Sequence, residues 1–280
     1  MPILLEGKPI AEEIKTRLKT EIAQMQDRPR LAIVIVGDNA ISAKFVALKE
    51  KFAREIGAET RRYEFPADIT TNELRLRMRD LVHEARNDGV IVQLPLPESI
   101  DTQGILNAVV PEKDVDMLSA RAVGDFQVGK SKILPPVVGA IKSLFEKHRI
   151  EMRGPDGHNK RVVVIGYGRL VGQPVSVWAK REGAITTVIA DPSQFDADII
   201  KNADILISGA GVPNLIRGEH IKKGAVVVDA GSSEKDGEVQ GDVDFESVSE
   251  KATFITPRVG GVGPLTVAFV FENLLTLARK

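Results

Sequence analysis

Apolar positions along this chain recur with two different periods. Ile10, Ile14, Leu18 and Ile22 repeat at helical spacing and mark one buried helix face. Leu31 to Val36 reads LAIVIV, a short unbroken run stopped by Gly37-Asp38, which predicts a buried strand. The charged stretch Ala43 to Ile56 predicts a helix ending at Gly57, a residue suited to a left-handed cap. Glu59 to Phe65 is a strand candidate. Thr70 with Glu73 forms a capping box for a helix through Arg86. Gly89 to Val92 predicts a third strand, running into Gln93-Leu94-Pro95-Leu96-Pro97. Such strand–helix alternation predicts a mainly parallel sheet covered on both faces.

A second series begins after Arg149. The polar segment RIEMRGPDGHNK (149–160) reads as a surface connection. Strand candidates follow at 161–166, Ile185 to Ile189, 203–208, 224–231 and Thr253 to Ile255, with helical spacers between them. This is the pattern of one doubly wound, nucleotide-binding unit. Leu265 to Ala278 predicts a C-terminal helix.

Composition narrows the choices. A chain of 280 residues that is 43% hydrophobic has room for one large domain or two ordinary ones. The net charge is −1 with both signs mixed throughout, so no basic block points to nucleic acid. The chain has no cysteine, which excludes disulfides, thiolate metal sites and thiol catalysis and fits a reducing compartment. The N-terminal apolar run is too short, and its first acid too early, for a secretory signal. No stretch approaches the roughly 20 apolar residues of a membrane helix. A soluble cytoplasmic protein is expected. His83, His148, His158 and His220 form no ligand-like pair, so no metal is expected.

Three segments carry chemical signals. Gly166-Tyr167-Gly168-Arg169-Leu170-Val171-Gly172 follows a strand and opens a helix, the context of a dinucleotide fingerprint. Glycine lets the backbone turn tightly and approach a pyrophosphate at the helix N-terminus, although plain strand-to-helix turns use it too. Asp191 ends the next strand, where an acid accepts hydrogen bonds from ribose hydroxyls; Asp191-Pro192-Ser193 also reads as a simple turn. The glycine- and proline-rich segment 257–266 suits either a ligand wall or a rigid corner.

Taken together the motifs resemble the bifunctional methylenetetrahydrofolate dehydrogenase/methenyltetrahydrofolate cyclohydrolase family over nearly the whole chain. VQLPLP (92–97), PEKDVD (111–116), GDVDFESV (241–248) and GGVGP-x-T (260–266) carry the resemblance, supported by GDN-x-x-S-x-x-F-V-x-x-K (37–49) and G-x-x-x-x-VG-x-P (166–174). It implies oxidation of 5,10-methylenetetrahydrofolate with NAD (NADP possible), then hydrolysis to 10-formyltetrahydrofolate. It also implies a homodimer through the cofactor domains. The fold expectation becomes two α/β domains. A folate-binding catalytic domain spans 1–138, joined by a C-terminal helix (265–280) that packs back on it. A Rossmann-type domain spans 139–264.

The resemblance assigns roles residue by residue. Lys49 matches the catalytic lysine, Gln93 the glutamine that hydrogen-bonds it, and Asp116 the acid that holds the pterin. Ser42, Phe45, Leu94, Pro95, Gly261 and Pro264 fall on further folate contacts. Gly166 through Gly172, with Asp191, Ala210, Gly211, Gly231 and Thr266, fall on the cofactor site. A lysine beside a cationic substrate loses basicity to like charge and can shuttle a proton near neutrality.

Departures from the family pattern are equally specific. Phe45 stands for a tyrosine, Met117 for a glycine, Ala122 for an asparagine, and Leu134-Pro135-Pro136-Val137 for Pro-Cys-Thr-Pro. Tyr167-Gly168 stands for Arg-Ser, Ala190-Asp191 for His-Ser, and Arg258-Val259 for Val-Pro. The 167–168 and 190–191 changes favour NAD. Phe45 and the 134–137 segment leave open a dehydrogenase without useful cyclohydrolase activity. A catalytically silent nucleotide-binding homologue is the third reading, opposed by the joint presence of Lys49, Gln93 and Asp116.

Overall fold

The computed structural model describes residues 1–154, 157–235 and 238–279, with the backbone only at 40, 41, 234, 235, 238 and 239. The chain forms two compact units, one of Met1–Ile10 with Val137–Thr266 and the other of Ala11–Pro136 with Val267–Lys280.

The elements begin with β1 (Ile3–Leu4), α1 (Gly7–Ala23), β2 (Arg30–Val36), α2 (Ala40–Ile56), β3 (Glu59–Phe65), α3 (Thr71–His83) and β4 (Gly89–Val92). Within the second unit β2, β3 and β4 form a parallel sheet in the order β3-β2-β4. Alternate residues of a strand face opposite sides. Ala32, Val34 and Val36 pack with Leu74, Met78, Leu81 and Val82 of α3, whose spacing is that of one helix face. Thr70 and Glu73 form the expected capping box. Helix α3 stops at His83, short of Arg86, because Glu84 turns extended and its carboxylate pairs with Arg30 and accepts from Tyr63 Oη at 2.7 Å. Asn39 caps α2 by accepting from the Ser42 amide at 3.0 Å, so this helix begins before Ala43. Gly57 ends α2 at φ 81°.

Next come α4 (Thr102–Leu106), α5 (Ala120–Gln127) and α6 (Pro136–His148). The remaining elements are β5 (Arg161–Ile165), α7 (Gly172–Arg181), β6 (Ile185–Ile189), α8 (Ala197–Lys201), β7 (Ile205–Ser208), β8 (Val226–Asp229), β9 (Ser233–Lys235), β10 (Glu238–Gln240), α9 (Phe245–Ser249), β11 (Phe254–Ile255) and α10 (Val262–Ala278). A six-stranded parallel sheet runs in the order β1-β11-β8-β7-β5-β6. Successive strands leave β5 on both sides, so the sheet has a topological switch point beside β5, where doubly wound folds bind ligands. Pro155 and Asp156 of the 149–160 connection lie outside the described residues; its Arg153 and Asn159 form an antiparallel bridge.

One boundary differs from the sequence expectation. Met1–Ile10 belong to the unit with the six-stranded sheet, not to the N-terminal domain. The cause is local. β1 pairs in parallel with β11, and the amides of Gly7 and Lys8 donate to the Gly260 carbonyl at 2.9 and 3.1 Å. The far end of α10 belongs to the other unit, where Phe271 stacks on Phe52 with ring centroids 5.3 Å apart. No helix among the described residues is long and apolar enough to cross a membrane.

Candidate active site and dinucleotide turn

Helix α2 carries Ser42, Phe45 and Lys49 at spacings that place them on one face. The Lys49 amine donates to Gln93 Oε1 at 2.9 Å, while Gln93 Nε2 donates to the Leu94 carbonyl at 2.9 Å. Ser42 Oγ donates to that same carbonyl at 3.3 Å. Because the amide nitrogen of Gln93 is committed to Leu94, its oxygen is the atom left for the lysine. That oxygen accepts from either protonation state of the amine, so Lys49 stays in place as its proton comes and goes. The Leu94–Pro95 peptide is cis, and Pro95 is exposed.

Asp116 completes this group through its field. Burial pulls the Lys49 ammonium below the usual lysine range, against the opposing pull of Asp116. Burial also raises Asp116 to about 6, with Lys49 lowering it and Asp114 raising it. Each group is therefore shifted towards neutrality, as an acid–base site requires. Phe45 is 37% exposed, so its ring is open to a planar ligand rather than closed in the core.

Two residues that sequence reasoning missed, Asp114 and Asn273, build this site together with Met117. Asp114 is buried and accepts from the amides of Leu118 at 3.3 Å and Ser119 at 2.8 Å, fixing the turn that carries Asp116. Asn273, on the mostly apolar α10, donates to the carbonyls of Val115 at 2.9 Å and Leu134 at 2.8 Å. It joins the PEKDVD turn to the altered 134–137 segment, and a polar residue amid VAFVF and LLTLA was its one available signal. Met117 adopts φ 57°, which explains why glycine suits this position; its sulfur accepts from Ser131 Oγ at 3.8 Å.

The other unit gathers the remaining candidates at the C-terminal ends of its strands. Gly166 follows β5 at φ 84°, and a Cβ there would lie 2.6 Å from the Gly209 carbonyl oxygen. A Cβ at Gly172 would collide with the Gly166 carbonyl, so the turn closes only around glycine. Val171 leads into α7 with no side-chain cap. Tyr167 and Leu170 are about half exposed. These features fit a dinucleotide, whose pyrophosphate needs close backbone approach and uncapped amides. Asp191 follows β6, the neighbour of β5, and accepts from the Ser193 amide at 2.8 Å. Both of its sequence readings survive, since the turn bond aims the carboxylate without consuming it. Ala210, Gly211 and Gly231 follow β7 and β8. Gly261, Pro264 and Thr266 lie at the start of α10 in this same unit. Thr266 Oγ1 donates to the Gly263 carbonyl at 2.7 Å. Among the described residues no cluster of His, Asp or Glu is arranged to hold a metal ion.

Comparison with known proteins gives one answer. Residues 5–116 match the family described as tetrahydrofolate dehydrogenase/cyclohydrolase, catalytic domain, and residues 135–280 its NAD(P)-binding domain. The bifunctional protein FolD of Lactobacillus gasseri is 36% identical, across 100% of this chain and 99% of its own. The solved methylenetetrahydrofolate dehydrogenase/cyclohydrolase of Campylobacter jejuni is 34% identical with a TM-score of 0.93, covering 100% of this chain and 99% of that one. The Trypanosoma brucei enzyme, solved with NADP and an inhibitor, is 34% identical with a TM-score of 0.91, covering 99% and 97%.

Proposed function

The chain belongs to the tetrahydrofolate dehydrogenase/cyclohydrolase family, and from that premise we propose that it oxidises 5,10-methylenetetrahydrofolate and then hydrolyses the methenyl product to 10-formyltetrahydrofolate. The observation that carries this reading is the Lys49–Gln93 hydrogen bond beside Asp116, with both charged groups shifted towards neutrality.

A bound nicotinamide dinucleotide supplies the hydride acceptor. The protein's residues do the rest. Asp116, when ionised, accepts hydrogen bonds from the aminopyrimidine edge of the pterin and fixes the distance at which the methylene is presented. Phe45 offers a face for the pterin ring. Loss of hydride leaves a resonance-stabilised methenyl cation. Lys49, as the free amine, takes a proton from the attacking water and returns it to the departing nitrogen as the tetrahedral adduct collapses, and the remaining hydroxyl proton is released to solvent as the formyl carbonyl forms. Gln93 holds the amine throughout without adding charge.

NAD is the proposed cofactor in preference to NADP, on the strength of Asp191 and the missing Arg-Ser at Tyr167-Gly168. A cytoplasmic homodimer is part of the same reading. A cysteine-free chain suits a reducing compartment, and β6 is a sheet edge with Ile185 exposed, a face a second copy would cover. The decisive measurement is nicotinamide reduction with methylenetetrahydrofolate, run with NAD and with NADP, alongside the decay of methenyltetrahydrofolate absorbance. Turnover in both assays is expected. Dinucleotide reduction without methenyl hydrolysis would select the monofunctional dehydrogenase, and failure of both the silent homologue.

A further inference from the structure

The GDVDFESV segment contributes nothing to the chemistry above, yet it places a carboxylate in a fully buried position. Asp242 Oδ2 accepts from Ser208 Oγ at 2.6 Å and from the Ala210 amide at 2.7 Å, and Oδ1 accepts from the Val212 amide at 2.8 Å. Gly211 lies between those two amides at φ 69°. Alternating amides around a left-handed residue form a concave nest for an anion. Here the anion is internal. The loop after β7 is folded around the protein's own carboxylate.

A second acid locks the first in place. Asp229 Oδ1 accepts from the Gly231 amide and Oδ2 from the Val243 amide, each at 3.0 Å. A Cβ at Gly231 would collide with the Asp242 carboxylate, and one at Gly241 with that of Asp229. Each carboxylate is thus encased by the glycine that flanks the other. Burial and the neighbouring Asp242 raise Asp229 to about 6.

The loop so fixed touches the dinucleotide turn. The Gly209 carbonyl backs Gly166, and a Cβ at Gly209 would collide with the Val171 side chain. Moving residues 209–212 would therefore move the turn that approaches the pyrophosphate. We infer that Asp242 is a positioning residue for the dinucleotide, acting through the 209–212 loop on the Gly166–Gly172 turn and not on the folate chemistry. It follows that Ala210, expected as a cofactor contact, commits its amide to Asp242 and serves the cofactor through the path of its backbone.

This inference rests on the proposed dehydrogenase–cyclohydrolase reading, and methenyl hydrolysis, which uses no dinucleotide, separates the two. In Asp242→Asn one oxygen becomes a donor facing donors. Unsatisfied buried groups of this kind should raise KM for NAD at least about tenfold. The kcat at saturating NAD and the rate of methenyl hydrolysis should stay within about twofold. If KM for NAD stays within about twofold, or if hydrolysis falls in parallel with it, the positioning role is wrong. Should Asp242→Asn fail to fold, Ser208→Ala removes a single donor and should raise KM for NAD about two- to fivefold with hydrolysis unchanged; an unchanged KM there overturns the inference equally. If the wild-type protein neither reduces NAD nor hydrolyses the methenyl compound, it is the functional reading that fails.

Discussion

The two units solve recognition by opposite means. In the unit of residues 11–136 and 267–280, function rides on side chains: Ser42, Phe45 and Lys49 on one helix face, with Gln93 and Asp116 on loops. In the unit of residues 1–10 and 137–266, it rides on the backbone, with Gly166 and Gly172 closing a turn that any side chain would block. Both units nevertheless fix a loop by burying a carboxylate among backbone amides, Asp114 in one and Asp242 in the other. The contrast teaches where substitutions act. A side-chain site loses chemistry when one group is removed, whereas a backbone site loses affinity when its scaffold moves.

The sharpest way to break this contrast is Lys49→Ala. Loss of a positioned acid–base group costs roughly 10²–10⁴-fold. Methenyl hydrolysis should fall by that amount while the melting temperature changes little, because the half-buried lysine bonds to the Gln93 side chain and is not part of the apolar core. Hydrolysis within a few-fold of wild type would remove Lys49 from its role.

On the backbone side the largest expected effect is cofactor choice. Hydrogen bonds from Ser193 hold the Asp191 carboxyl below its usual range, so it is charged at neutral pH. A 2′-phosphate beside that charge is opposed by like-charge repulsion, which can reach several kcal/mol. Each 1.4 kcal/mol is a factor of ten, so kcat/KM with NAD should exceed that with NADP at least about tenfold. Asp191→Ser should narrow the gap. A wild-type preference for NADP would show that Arg169 governs the ribose end and that Asp191 serves only its turn.

The two kinds of site were not equally legible. The capping box of α3 could be read directly from spacing, whereas Lys49, Gln93 and Asp116 were legible only through the family resemblance, because a lone lysine on a charged helix looks like any other surface lysine. Gly166 and Gly172 announced a turn but not what it binds, because glycine records only the absence of a side chain. Asp114 and Asp242 were present in recognisable segments, yet a carboxylate that accepts backbone amides leaves no periodic trace. Met1–Ile10 went to the wrong unit for a related reason. A two-residue strand has no period, and its partner Phe254–Ile255 lies near the other end of the chain.

Acid titration tests the side-chain site through Asp116. Asp116 is held at about 6 by burial, above its usual 3.8. A raised carboxyl gains its proton as pH falls through the raised value, so the pterin acceptor is lost on the acid side. Below pH 6, KM for the folate should rise towards tenfold per pH unit, the limit for one ionisation. Asp116→Asn should abolish that limb while weakening binding at neutral pH. A folate KM that is flat between pH 5 and 7 in the wild type would show that the charge on Asp116 is not what holds the substrate.

Phe45→Tyr tests the same side-chain site with the smallest perturbation. The ring is already 37% exposed on the functional face of α2, so a para hydroxyl has room and meets no closed core. The ring's stacking surface is unchanged. What is added is one hydrogen-bonding group, worth about 1 kcal/mol net when it finds a partner and close to nothing when water serves as well. Folate KM should therefore lie between unchanged and about fivefold lower, with the dinucleotide KM unaffected. A fivefold gain would mean that a hydrogen-bonding partner lies within reach of the para position. No change would mean that water serves the hydroxyl as well as the protein does. Loss of folate binding is the outcome that overturns the assignment, because an exposed edge cannot become a lesion by gaining a hydroxyl unless the ring is enclosed when substrate binds.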